Sequence, residues 1–253
     1  MTTPAAAVSL GAGGGRGYPV GDDVFPSVTE IMKSLSAPAL ERWKIGLAAE
    51  FAVSDAIRQL ANSDKFAARK AIEAEPYHFR PGGAADLGTR VHAAVDAAVS
   101  GVEYDDPETK PFVETWAKCV AEHKIKFEAT ERTCFNREYS YAGTFDAIVK
   151  INRSEPAVLD YKTGKRIWPD VALQLAAYAN AEGLLDSPDG RILGPMPECR
   201  TDRGLVMLLH RDKYELRPVE LPTAWFTFRA VKTAWDWQRV NAKRALCSPL
   251  VAK

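Results

Sequence analysis

Residues 142–164 read AGTFDAIVKINRSEPAVLDYKTG, and the fold turns on how they pair. Residues 142–151 alternate apolar and polar side chains, the pattern of a half-buried strand. Residues 156–162 (PAVLDYK) form a second candidate strand. Asn152, Arg153, Ser154 and Glu155 between them supply turn chemistry. A hairpin centred near Arg153 sets Asp146 opposite Asp160. Side chains two apart on a strand share a face, so Lys162 points with Asp160. The other face then carries Phe145, Ala147, Val149, Ile151, Leu159 and Tyr161, an apolar set suited to a core. One register therefore buries a hydrophobic face and gathers two carboxylates and an ammonium on the opposite one.

Two carboxylates a few ångströms apart repel each other and need compensation. A hard divalent cation is the usual answer, because Mg²⁺ binds one or two carboxylates and keeps positions open for water and phosphate oxygens. Such an ion activates water and stabilises charge on an attacked phosphate. Lys162 beside it would act as a point charge or a proton-transfer partner. A surface ion pair between Asp160 and Lys162 is the alternative for so short a pattern, and the flanking residues weigh against it.

Downstream, Trp168-Pro169-Asp170 suits a helix start, since Pro costs least there. Residues 170–183 have helical composition and end at a glycine, and Gln174 and Tyr178 share a face one turn apart. Upstream, residues 85–99 read as a helix with Leu87, Val91, Val95 and Ala98 as its apolar stripe and His92 at the stripe's edge. Imidazole there serves as a core histidine or as a further metal ligand.

These pieces together resemble the RecB-like branch of the PD-(D/E)xK nuclease superfamily, nearest to phage exonucleases and the CRISPR-associated nucleases related to them. The matching segments are Gly88-Thr-Arg-Val-His92, Glu131 in Ala129-Thr-Glu-Arg, Ala142-Gly-Thr-Phe-Asp146, Leu159-Asp-Tyr-Lys-Thr-Gly164 and Gln174-Leu-Ala-Ala-Tyr178. The resemblance implies a restriction-endonuclease-like α/β fold: a mixed central sheet flanked by helices, with a helical N-terminal region bearing the histidine. It implies Asp146 and Asp160 as metal ligands, joined by His92 and the backbone carbonyl of Tyr161. Lys162 becomes the catalytic lysine, and Gln174 and Tyr178 position the DNA or the site. Glu131 is an acid that supports the ligands from behind or faces the substrate.

The implied activity is Mg²⁺- or Mn²⁺-dependent DNA hydrolysis by an exonuclease of phage or bacterial recombination or replication. The substrate is then DNA with ends, and the partners a single-strand annealing protein, a helicase or further copies of the chain. An endonuclease on the same fold and a catalytically silent DNA-binding scaffold stay open. Some relatives hold an iron–sulfur cluster, with one cysteine before the histidine helix. Here no cysteine precedes His92, and Cys119, Cys134, Cys199 and Cys247 are widely spaced, so no iron–sulfur cluster is expected.

Composition bounds these readings. A chain of 253 residues can bury one sizeable core. A formal net charge of zero argues against a general DNA-coating protein and places any nucleic-acid contact in a local groove. Candidate contacts are Arg42, Trp43 and Lys44, Arg90, and Lys165 with Arg166 directly after the motif lysine. Trp43 suits a core anchor better than a DNA contact, and Lys165 and Arg166 equally suit a solvated turn. Scattered cysteines fit reduced thiols in a cytoplasm, the host's if the chain is phage-encoded. No window has the ~18 apolar residues of a membrane span. Residues 1–23, glycine-rich and aperiodic, are expected to be flexible. Residues 24–253 are expected to form one domain, mainly helical over 24–128, with the sheet core and a C-terminal helix over 129–253. Helices are expected over 39–62, 107–127 and 223–245, a buried strand over 204–210 and an edge strand over 213–219.

Overall fold

The computed structural model describes residues 7–10, 15–35, 38–75, 83–186 and 189–247, without the side chains of residues 38–40, 43, 84 and 85. The hairpin of residues 142–162 lies at the centre of a seven-stranded mixed sheet. Its strands are β5 (Tyr141–Ile151) and β6 (Ala157–Lys162), which pair antiparallel as Ala147 with Leu159, Ile148 with Val158 and Val149 with Ala157. The pairing stops at Ala147 with Leu159, one step short of Asp146 and Asp160. Asn152, at φ 55°, takes the left-handed turn conformation that asparagine tolerates.

On one side β4 (Ile125–Asn136) pairs antiparallel with β5, and β7 (Gly183–Leu185) and β8 (Ile192–Pro195) extend the sheet beyond it. On the other side β9 (Arg203–Leu209) runs parallel to β6, and β10 (Tyr214–Glu220) closes the edge antiparallel to β9. The parallel step needs a crossover, and α7 (Val171–Ala179) lies in it.

Helices cover both faces of this sheet. Val158 and Val206 pack with α7 and α8 (Pro222–Asp236) through Leu175, Tyr178, Phe228 and Trp235. Leu159, Tyr161 and Met207 pack with α5 (Ala84–Ser100) and α6 (Lys110–His123) through Val91, Val95, Phe112 and Trp116. Central strands buried on both sides carry near-continuous apolar runs, as β9 does with Leu205 to Leu209. Phe127, expected at the end of the α6 helix, lies in β4 instead. It still meets Trp116, with ring centroids 5.8 Å apart. Lys124 ends the helix in a left-handed conformation, φ 51°.

Four expectations need correction. The N-terminal segment is not a flexible leader throughout: β1 (Val8–Ser9), β2 (Arg16–Val20) and β3 (Asp23–Pro26) form a three-stranded antiparallel sheet. Tyr18, Val20 and Phe25 bury against Phe135, Ala142 and Leu185, so tertiary packing overrides the glycine-rich composition. Residues 11–14 lie outside the described residues. Next, residues 24–253 do not form one body, since residues 35–86 make a separate compact unit. That unit holds α2 (Pro38–Ala52), α3 (Asp55–Ser63) and α4 (Lys65–Ala74). The helix expected over 39–62 breaks because Ser54 caps α3, accepting from Ile57 N–H at 3.4 Å. Asp64 caps α4 by accepting from Phe66 and Ala67 N–H, both at 2.9 Å. Lastly, the histidine helix α5 belongs from Leu87 onward to the sheet-bearing unit, not to this helical one.

The C-terminal helix, expected over 223–245, runs unbroken from Pro222 to Ala245 as α8, a π-helical turn over Trp237–Asn241 and α9 (Ala242–Ala245). After α1 (Val28–Met32), Lys33 and Arg239 both reach the buried carboxylate of Glu30, at 2.6 and 3.1 Å. No described helix is long and apolar enough to cross a membrane.

Candidate metal centre

The site lies where β4, β5 and β6 meet the side chain of His92. Val91 and Val95 fasten α5 to the sheet, and this leaves His92 pointing at the strands. Its ring stands edge-on to Tyr161, centroids 5.9 Å apart, with Nδ1 3.5 Å from Asp146 Oδ1. Gly88, one turn earlier, explains the motif's glycine. A Cβ there would come within 3.1 Å of the Thr163 hydroxyl, just beyond Lys162.

Asp146 is held from a second direction. Its Oδ2 accepts the Tyr161 backbone N–H at 2.7 Å. Tyr161, expected to offer its carbonyl to a metal, thus reaches the site through its amide. Phe145, expected to share a face with Ala147 and Val149, joins the core under α7 and α8 instead. The alternation of β5 slips here. On the neighbouring strand Glu131 falls between the pairs Thr130–Ala147 and Arg132–Phe145. Glu131 has φ 45°, a conformation an unbranched residue adopts only where its surroundings enforce it.

That kink changes the donor set. His92, Glu131 and Asp146 each offer a ligand atom, all within 4.8 Å of one another, so these three could hold a metal ion. Glu131, expected behind the ligands or on the substrate side, stands beside Asp146 as a donor. Asp160, expected as a ligand, is buried, with Oδ2 2.5 Å from Lys162 Nζ. The contact is an ion pair, and among the described residues that oxygen has no partner with hydrogen-bond geometry.

The electrostatics follow from crowding. Burial, reinforced by the Asp146 charge, pushes Glu131 up to about 7. Burial and the same charge push Asp160 up to about 6, against the pull of Lys162. Burial disfavours the charged form of His92, but the hydrogen bond and charge of Asp146 outweigh it and its pKa lies above the ordinary imidazole value. Three carboxylates share a space answered by one lysine and one histidine. Such a surplus of negative charge, with a nitrogen and carboxylate oxygens converging, fits a divalent cation.

Gln174 and Tyr178 lie one turn apart on α7, and Gln174 Nε2 donates to the Tyr178 hydroxyl at 3.3 Å. Burial raises the Tyr178 pKa well above its usual range, against the Gln174 bond. Gly143 permits this packing, since a Cβ there would sit 2.7 Å from Tyr178 Cε1. A hydroxyl chain steadies the strand before Asp146: Tyr18 and Thr133 both contact the Thr144 hydroxyl, at 3.3 and 3.0 Å.

The expected DNA contacts divide. Arg90 is a correction: it is bound to Asp106 and Glu108, each at 2.6 Å, and braces the segment after α5. Lys165 and Arg166 are exposed on the loop after Lys162, with the Arg166 guanidinium 3.8 Å from the Trp168 ring centroid. Arg42, Trp43 and Lys44 lie on α2 in the other compact unit, where Arg42 is exposed and the Trp43 side chain lies outside the described residues. Cys119 and Cys134 are buried in different cores, Cys199 is half-buried and Cys247 exposed.

No family model matches the chain, and no curated protein matches it. Among solved structures, the crystal structure of SSO0001 is similar over 80% of this chain and 76% of that one, at 14% identity and a TM-score of 0.34. A likeness at that level carries no argument about function.

Proposed function

We propose that the chain is a Mg²⁺- or Mn²⁺-dependent deoxyribonuclease, an exonuclease acting on linear DNA in phage or bacterial recombination or replication. One observation carries the reading: His92, Glu131 and Asp146, from one helix and two strands, offer ligand atoms within 4.8 Å of one another, and the Asp146 charge bears on Asp160, which pairs with Lys162. Ordinary solvated faces do not crowd three acids, one of them buried, against each other's charge.

His92, Glu131 and Asp146 would hold the ion. When bound, it would polarise a phosphate oxygen and lower the pKa of a water. Asp160 orients Lys162, whose ammonium neutralises charge gathering on the attacked phosphate. Water oxygen bonds to phosphorus, one ester P–O bond breaks, and the departing oxygen takes a proton. Gln174 and Tyr178 brace β5 from the α7 side and keep the acid-bearing strand in place.

The test is degradation of end-labelled linear DNA with Mg²⁺, with Mn²⁺ and with chelator, beside a closed circle of the same sequence. Cleavage of the linear form alone, abolished by chelator, is the expected result. Cleavage of the circle would make it an endonuclease, and binding without cleavage under every condition would leave a DNA-binding scaffold. An annealing protein or helicase partner and assembly of several copies belong to the same proposal.

A further inference from the structure

A second cavity, of about 560 Å³, opens where β6 and β9 end. Its polar lining is Lys165, Arg166, His210, Lys213 and Arg217, with Glu215 as its acid. Arg217 pairs with Glu215. Lys165 and Lys213 are exposed and make no ion pair among the described residues. In a chain of zero net charge this is a local excess of cations.

Strand pairing ties the cavity to the metal site. Asp160 pairs with Val206, and Val206 with Arg217; Lys162 pairs with Leu208, and Leu208 with Glu215. Paired residues project to the same side of a sheet. The row from Lys162 reaches the cavity, which Leu208 and Glu215 both line, whereas the row from Asp160 passes through Val206 in the core under α7 and α8. Two strand spacings amount to about 10 Å. The carboxyl ends of parallel strands are where open α/β sheets bind ligands. Two residues after Arg166 of the lining, Trp168 is 52% exposed and carries the Arg166 guanidinium on its ring.

We infer that this cavity is the track for one DNA strand running past the metal site, with phosphates on Lys165 and Lys213 and a base stacked at Trp168. The inference rests on the nuclease reading for its direction of travel, but binding can be measured without turnover. A strip of cations beside an exposed aromatic suits single-stranded nucleic acid, because stacking and backbone charge together hold a strand whatever its sequence. The cavity lies between the loop after β6 and the edge strand β10. Blunt duplex should bind more weakly.

The experiment is fluorescence anisotropy of labelled oligo-dT, and of a blunt duplex of equal length, in chelator over a series of salt concentrations. The Lys165→Gln/Lys213→Gln double variant should bind oligo-dT about tenfold more weakly. The slope of log K against log salt should flatten by about 1.4, at roughly 0.7 for each single-strand phosphate that the variant no longer neutralises. The Trp168→Ala variant should weaken oligo-dT binding with an unchanged slope. An unchanged affinity and slope in the double variant overturns the track, as does equal binding of duplex and single strand. If oligo-dT binds as described and no metal supports cleavage, the track stands and the nuclease assignment falls.

Discussion

The Tyr161 amide donates to Asp146 Oδ2 at 2.7 Å, so the strand that carries Asp160 and Lys162 also fixes the carboxylate facing them. Asp146 has little freedom left: one oxygen is held by β6 and the other lies 3.5 Å from His92. A ligand oriented by a neighbouring strand is preorganised, and a catalytic site needs that more than it needs the bare residue types.

Asp146→Asn should keep the fold, because the amide oxygen can still accept from Tyr161. It removes one of the clustered negative charges and a ligand. Divalent binding by calorimetry should fall at least tenfold, and cleavage should fall by on the order of 10²–10⁴. The thermal midpoint without metal should rise or stay level, since repulsion is relieved. Undiminished metal affinity would remove Asp146 from the donor set.

The site makes metal-free stability depend on pH. Glu131 at about 7 and Asp160 at about 6 both lie above the ordinary carboxylate values of 4.5 and 3.8. The native state therefore binds more protons than the unfolded chain between about pH 4 and 7, and stability falls as pH rises through that window. His92, also raised, contributes stability below its ordinary value that is lost as pH climbs through its folded pKa. All three effects have the same sign. Melting curves in chelator should show a higher midpoint at pH 5 than at pH 8, and Mn²⁺ should recover most of the difference at pH 8. A midpoint that rises with pH in chelator would contradict the crowded-acid description.

A donor set of one imidazole and two carboxylates favours Mn²⁺ over Mg²⁺, because nitrogen is a poor partner for the harder ion. His92→Ala should narrow that preference. Titration of both metals into wild type and variant measures it directly, with a larger loss expected for Mn²⁺. Equal losses for the two metals would mean that His92 acts through Asp146 alone.

Gly143→Ala places a methyl 2.7 Å from Tyr178 Cε1. Overpacking of this kind costs about 1–3 kcal/mol. Tyr178→Phe in the same background leaves the ring and should not relieve the clash, whereas Tyr178→Leu should recover part of it. Chemical denaturation of the four proteins decides between ring contact and a backbone requirement at residue 143.

The hairpin register is legible because alternation in residues 142–151, turn residues at 152–155 and a short apolar run all agree on one pairing. Strand β9 is legible from five apolar residues in a row, and β10 from the alternation beyond it. The place of Glu131 is not. Its approach to His92 depends on a left-handed residue inside a strand, which no propensity encodes for glutamate. Arg90 misleads because its partners Asp106 and Glu108 lie a loop away, and sequence proximity to His92 says nothing of them. The strands of residues 16–26 are hidden by glycine-rich surroundings. Their signal is the pair Tyr18 and Val20, which alternate with Gly17 and Pro19. The unforeseen helix α4 has a visible cue in Asp64 ahead of an alanine-rich segment.

Both outer margins of the large sheet are blunted. Strand β8 has four residues, and β10 carries Glu215, Arg217 and Glu220 with Pro218 among them. Short length, charge and a residue lacking an amide hydrogen are the means by which a protein denies its backbone ladder to a newcomer. Neither rim offers an open backbone ladder on which another strand could readily extend the sheet.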